Sequence, residues 1–191
     1  MANSQNISVG KPLVGGAVYR GAVSATLPTS ALTTLSADFT SLGFISEDGL
    51  TNESTFSSTE FKDWGGNVVM TSLDEKKDTF KFKLIESLNV DVLKTIFGDS
   101  NVSGSLAEGI TVNVKATELD TSAYVIDMLM TGGYIKRIVI PKGKISEVAE
   151  VTYKKDEVVG YECTITALLD DSDNSHYEYI AKPETSVASE E

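Results

Sequence analysis

The chain predicts an all-β fold, antiparallel and sandwich- or barrel-like, with one short α-helix on its flank. Three observations carry this. Apolar and polar residues alternate with a period of two in several separate segments; clusters of Gly, Pro and Asp punctuate them; and only one stretch has the spacing of an amphipathic helix. With 191 residues, 41% of them hydrophobic and 23% charged, the chain can bury a sizeable core as one main domain.

Residues 1–36 are rich in Gly, Ala, Ser and Thr, and read as an N-terminal arm and loop around a short strand at 17–23, with Pro12 and Pro28 breaking regular structure. Residues 37–180 form the β-rich domain. Its first feature is a long loop over 46–66, which opens on the turn signal Glu47-Asp48-Gly49 and closes on Gly65-Gly66. Within it Phe56, Phe61 and Trp64 stand among Ser, Thr, Asn and acidic residues, at spacings that make no continuous face of either period. Residues 55–61 have a second reading, as a hairpin strand with Phe61 and Trp64 capping the subunit's own core.

Beyond this loop the alternation is clear. Phe80, Phe82 and Leu84 share one strand face, and Thr79, Lys81 and Lys83 the other. A helix follows at 89–98: Asn89 is its N-cap, Asp91 complements the dipole, Val92, Leu93, Ile96 and Phe97 make the apolar stripe, and Gly98 stops it. Ile110, Val112, Val114 and Ala116 predict a half-buried strand. Residues 122–170 read as a meander of antiparallel strands, with turns expected at Gly132-Gly133, Pro141-Lys142-Gly143 and Lys154-Lys155-Asp156. Its clearest strand alternates through Val159, Tyr161, Cys163, Ile165, Ala167 and Leu169. Residues 181–191 form a flexible acidic tail.

The same residues argue against chemistry. A net charge of -12 opposes binding to phosphate backbones or anionic lipid, which needs clustered Lys and Arg. No window has the roughly 18 to 20 apolar residues that span a bilayer. The start MANSQNISVGKP has no secretory pattern, which predicts an intracellular product when made, with no membrane anchor. Cys163 is alone and falls on an apolar strand face, so it reads as a small buried hydrophobe. His176, the single histidine, lies in an acidic segment expected to be exposed. One His and one Cys exclude a zinc site within one chain on ligand count.

The glycines at 15, 16 and 21 resemble a phosphate loop, but Ala22 and Val23 stand where Lys and Ser or Thr are required. Asp170-Asp171-Ser172-Asp173-Asn174 opens like a calcium loop, yet counting from Asp171 His176 and Lys182 occupy the Gly and Glu positions, so a solvated acidic turn is expected. Two sequons, at Asn52 and Asn101, are chance matches without a secretory signal. The acid pairs Asp74-Glu75 and Asp156-Glu157 sit beside lysines in expected surface turns. The reading therefore holds no catalytic residue, cofactor or metal.

A resemblance adds to this. Val9-Gly10-Lys11-Pro12, Gly15-Gly16-Ala17-Val18-Tyr19, Leu27-Pro28-Thr29 and the run Leu42 through Thr51 (LGFISEDGLT), followed by the later strands and lone helix, resemble the tail tube proteins of long-tailed, non-contractile phages over most of the chain. The related tube protein of type VI secretion shares that architecture. The resemblance implies a structural subunit that forms rings, hexameric in that family, which stack into a hollow tube in the virion, assembled in the host cytoplasm. Its implied partners are further copies of itself, a tape measure protein and tail terminator and tip proteins, with DNA passing through without specific binding. It also places a long inter-ring loop after the strand ending at Phe44-Ile45. Leu13, Val14, Tyr19, Phe56, Phe61 and Trp64 are the expected inter-subunit contacts. Two other classes compete. A monomeric β-sandwich binding module, for carbohydrate or protein, would cluster exposed aromatics on one face; an enzyme would need a cleft that gathers distant carboxylates.

Overall fold

The computed structural model describes residues 2–13 and 16–183; Val14, expected as a contact, and the tail from 184 onward lie outside the described residues. The strands in chain order are β1 (Gly10–Pro12), β2 (Val18–Gly21), β3 (Thr40–Ser41), β4 (Ile45–Lys62), β5 (Val68–Leu84), β6 (Val102–Ser105), β7 (Gly109–Val112), β8 (Ser122–Met130), β9 (Tyr134–Val148), β10 (Tyr161–Leu168) and β11 (Tyr177–Ala181). The single helix among the described residues, α1, is Val90–Phe97. The fold is all-β with one short helix, as its residue pattern predicts. One nine-stranded sheet runs in the order β3-β2-β8-β9-β10-β5-β4, with β1 added to β8 and β11 to β9; β6 and β7 form a separate hairpin.

Central strands are buried on both faces, so their alternation sorts two apolar sets instead of apolar from polar. From β8 and β9, Tyr124, Ile126, Ile138 and Ile140 enter the larger core with Phe80, Phe82 and Leu84 of β5 and Tyr161, Cys163 and Ile165 of β10. Helix α1 lays Val92, Leu93 and Ile96 on the same core. It starts where predicted: the Asn89 side chain accepts the Asp91 amide at 2.9 Å, and the Gly98 amide donates to the Lys94 carbonyl at 2.8 Å.

On the opposite face Ala123, Val125, Val139 and Phe39 make a smaller core, covered by Leu27 and Leu35 from the loop between β2 and β3. A buried ion pair fastens that loop. Arg137 donates through Nε to Asp127 Oδ1 at 2.7 Å and through Nη2 to Oδ2 at 2.8 Å, while its Nη1 donates to the carbonyls of Ser30 and Thr33. The two residues are direct cross-strand partners, so the sheet itself sets the bidentate geometry.

Several expectations are corrected. Pro12 ends a paired strand, β1, instead of breaking one; its three residues are exposed at the margin of the sheet, where a missing N–H is tolerated. Pro141-Lys142-Gly143 is not a turn but lies inside β9. The β8–β9 ladder shifts register there, Ser122 facing Gly143 and Tyr124 facing Ile140, and such an irregularity accommodates a proline. Gly143 is needed because a Cβ would stand 2.7 Å from the Tyr124 ring and 2.9 Å from Ile165. The turn at Gly132-Gly133 does exist, with φ of 80° and 77°.

The strand expected through Ala116 stops at Val112. Its partner β6 begins at Val102, and after the Asn113 amide bonds to the Asn101 carbonyl no strand among the described residues pairs with it further; Val114 is 78% exposed. Asp74-Glu75 lies within β5 and not in a turn.

Candidate functional site

The groups with catalytic potential are spent on structure. Asp78 in β5 is 1% exposed and accepts hydrogen bonds from the Ser54 and Ser175 hydroxyls, with Lys76 Nζ at 3.3 Å. His176 is not exposed, as expected from its acidic surroundings, but half-buried: its ring meets Phe80 edge-on at 5.1 Å, and Nδ1 lies 3.7 Å from Asp78 Oδ2. A nucleophilic serine would give its proton to a histidine steered by an acid. Here Ser175 Oγ lies 3.1 Å from Nδ1 of its neighbour His176 but donates to Asp78 Oδ2, which holds the hydroxyl proton on the acid and not on the ring. Burial pushes the Cys163 thiol up to about 12, so it is no thiolate at neutral pH.

The acidic run at 170–174 is a tight turn: Asp170 Oδ1 accepts the Ser172 and Asn174 amides at 2.8 and 2.9 Å, and Oδ2 accepts the Tyr177 hydroxyl at 2.6 Å. Among the described residues no group of three or more His, Cys, Asp or Glu could hold a metal, and no helix is long and apolar enough to cross a membrane. A cleft of about 680 Å³ lies beside α1 and is lined by Arg20, Asp38, Asp91, Lys94, Asp99 and Asp120, among others. Its arginine is already committed, donating to both carboxylate oxygens of Asp99 at 2.7 and 3.0 Å.

What stands apart is the β4–β5 hairpin. The segment 46–66 is not a loop: Ile45–Lys62 and Val68–Leu84 pair antiparallel nearly to the tip, closed by a turn in which Asp63 Oδ1 accepts the Asn67 amide at 2.8 Å. Its root is built into the body, since β5 pairs with β10 from Leu84 to Asp78. Beyond Asp78 no further strand among the described residues pairs with either arm, and the outer part projects as an exposed two-stranded ribbon.

The ribbon carries apolar groups in water. Phe56, Phe61 and Trp64 are exposed, so Phe61 and Trp64 do not cap the subunit's core. They are joined by Val68, Val69, Met70 and Leu73, which composition reasoning passed over. The signal for them was the return strand itself, where Val-Val-Met and Leu73 follow the Gly pair with no partner in the core pattern. Phe61 faces Met70 directly across the ladder, and Lys76 Nζ stands 5.8 Å above the Phe56 ring.

The arm residues behave differently. Leu13 is half-buried and its amide donates to the Asp127 carbonyl at 3.3 Å. Tyr19 is half-buried against the smaller core, and burial followed by the nearby Asp127 charge raises its phenol above its ordinary value. The fold thus gathers Phe56, Phe61 and Trp64 on one projecting element and leaves Leu13 and Tyr19 on the body.

No curated protein matches the chain. The profile of the family described as phage tail tube protein matches residues 1–189, and the chain belongs to that family.

Proposed function

We propose that the protein is the repeating subunit of a phage tail tube of the long, non-contractile type. Its sandwich-like bodies join into rings, hexameric by the resemblance, and the β4–β5 ribbon joins each ring to the next. The ribbon is the observation that carries this reading. Two strands of 18 and 17 residues are far longer than a stable hairpin needs, and their outer halves contribute nothing to the cores. Aromatic side chains in a polar frame are the groups that subunit contacts use as anchors. Leu13 and Tyr19 would add smaller contacts along the body. No active site is part of this function.

The tube would be the conduit for DNA, with a tape measure protein inside during assembly and terminator and tip proteins at its ends. A monomeric binding module is disfavoured because Phe56, Phe61 and Trp64 lie on the projecting ribbon, apart from the exposed Phe44, Tyr134 and Tyr153 of the body. The test removes the ribbon while sparing its root. Replacing residues 57–75 with Asn-Gly closes the hairpin between the paired residues Phe56 and Lys76 and keeps Ser54 opposite Asp78. The shortened chain should keep a folded β-sheet circular dichroism spectrum with a cooperative melt and form no tubes by negative-stain microscopy. Tubes of normal width from this chain would refute the ribbon as the joint.

A further inference from the structure

We infer that each ribbon is gripped by two neighbouring copies of the chain at once, one on each face, with Trp64 between them at the tip. This rests on the reading of the ribbon as the joint between subunits.

The register decides which side chains share a face, because directly paired residues point the same way and neighbours along a strand alternate. Phe56 pairs with Lys76, Ser58 with Leu73 and Lys62 with Val68, so Phe56, Leu73 and Val68 lie on the face that continues into the larger core through Phe80 and Phe82. Phe61 pairs with Met70 and lies on the opposite face, with Thr59 and Ser72. The register shift at Ser57/Ser58 brings Leu73 onto the face of Phe56 and Phe80, and the shift at Phe61/Lys62 brings Val68 onto it; Met70, three residues from Leu73 in the same block, falls on the other face by alternation.

An antiparallel ribbon with one face against a partner and one in water shows apolar groups on one face only. This ribbon exposes an aromatic and an aliphatic residue on each. Area points the same way. Each aromatic buries roughly 150 to 250 Å², small against the roughly 800 Å² per partner of a standard interface. Both faces and the tip together bring three aromatics, Phe56, Phe61 and Trp64, with Val68, Val69, Met70 and Leu73.

Charge and family identify the occupant as further copies of this chain. Residues 55–77 hold Glu60, Asp63, Asp74 and Glu75 against Lys62, Lys76 and Lys77, a net of -1; of the remaining -11, Glu184, Glu190 and Glu191 lie outside the described residues and the bodies carry -8. Two such bodies repel at contact, whereas a nearly neutral ribbon bearing three lysines can lie against them. The family is one whose members build a tube.

The experiment uses the full chain with a thiol-directed photo-crosslinker at Ser57→Cys, on the Phe61 face, at Ser58→Cys, on the Phe56 face, or at both. The native Cys163 is buried and does not compete. Labelled subunits are doped as a small minority into unlabelled assemblies, so that each crosslinks only to unlabelled copies. Each single variant should give covalent dimers whose crosslinked peptides map to two different regions of the body, and the double variant should give trimers. In parallel, Phe56→Ser/Leu73→Ser and Phe61→Ser/Met70→Ser should each abolish tubes without changing the circular dichroism spectrum. The inference is overturned if the double variant yields dimers alone, or if either polar-face variant assembles like the parent. Failure of the underlying reading looks different, because the ribbonless chain would then itself form tubes.

Discussion

At the scale of the residue, Asp78 illustrates how a carboxylate is kept at the ribbon's root. Burial pushes its pKa up, but hydrogen bonds from Ser175, Ser54 and Lys76 outweigh that and hold it below the ordinary carboxylate value. A depressed folded-state pKa contributes stability that is present above the unfolded value, about 3.9, and is lost as pH falls through the folded value. Asp78→Asn removes this linkage and leaves one hydroxyl without its acceptor, at a cost of about 1–3 kcal/mol near neutrality. Urea melts of the two proteins should therefore differ at neutral pH and converge in acid. A stability gap that stays constant, or widens, down to pH values below the carboxylate range would contradict this account.

Among the elements, α1 is the clearest case of local chemistry deciding structure. Eight residues are too few to be helical alone, so its stability comes from the stripe laid on the sheet and from its caps. Asn89 does double work: its Oδ1 accepts the Asp91 amide, while its Nδ2 donates to Glu86 Oε2 at 2.9 Å, and Glu86 Oε1 in turn accepts the Phe44 amide at 2.9 Å. Asn89→Ala should cost about 1 kcal/mol, the usual value of an N-cap. The loss should appear in the urea midpoint with tube formation preserved, since the helix is remote from the ribbon's outer half. Normal stability would mean that the cap is redundant with Glu86. The ribbon is the opposite case, an element whose outer half gains nothing from the body that carries it.

For the whole molecule, the decisive quantity is charge. Lysines on the polar sheet face are paired, Lys81 with Glu162 at 2.6 Å and Lys83 with Glu157 at 3.4 Å, so the excess of acid is not relieved by a basic patch there. A tube built from subunits of charge -12 repels duplex phosphates over the roughly 10 Å reach of electrostatics at moderate salt. On the proposed function, such a tube would let DNA slide through without holding it. Assembled tubes should not retain labelled duplex DNA even at low ionic strength, in a pelleting or polarisation assay. Retention that weakens steeply with salt would show the reverse, a lumen that grips phosphate.

The amino-acid sequence by itself determined the fold class, the helix with both its caps, the buried strand faces of β5 and β10, and the resemblance to tail tube proteins. These are local signals: a period of two or a cap is written within a few consecutive residues. Tertiary structure alone decided the rest, because strand pairing is non-local. Residues 46–62 have no apolar face of their own, and become a strand only because 68–84 offers a ladder in register. Pro141, a turn signal on its own, is carried inside β9 by a register shift against β8. Val114 had the right period but no strand to pair with, and His176 was drawn from an acidic segment onto Phe80. The ribbon's two faces were the least legible feature, since which side chains share a face depends on two register shifts that exist only once the strands have met.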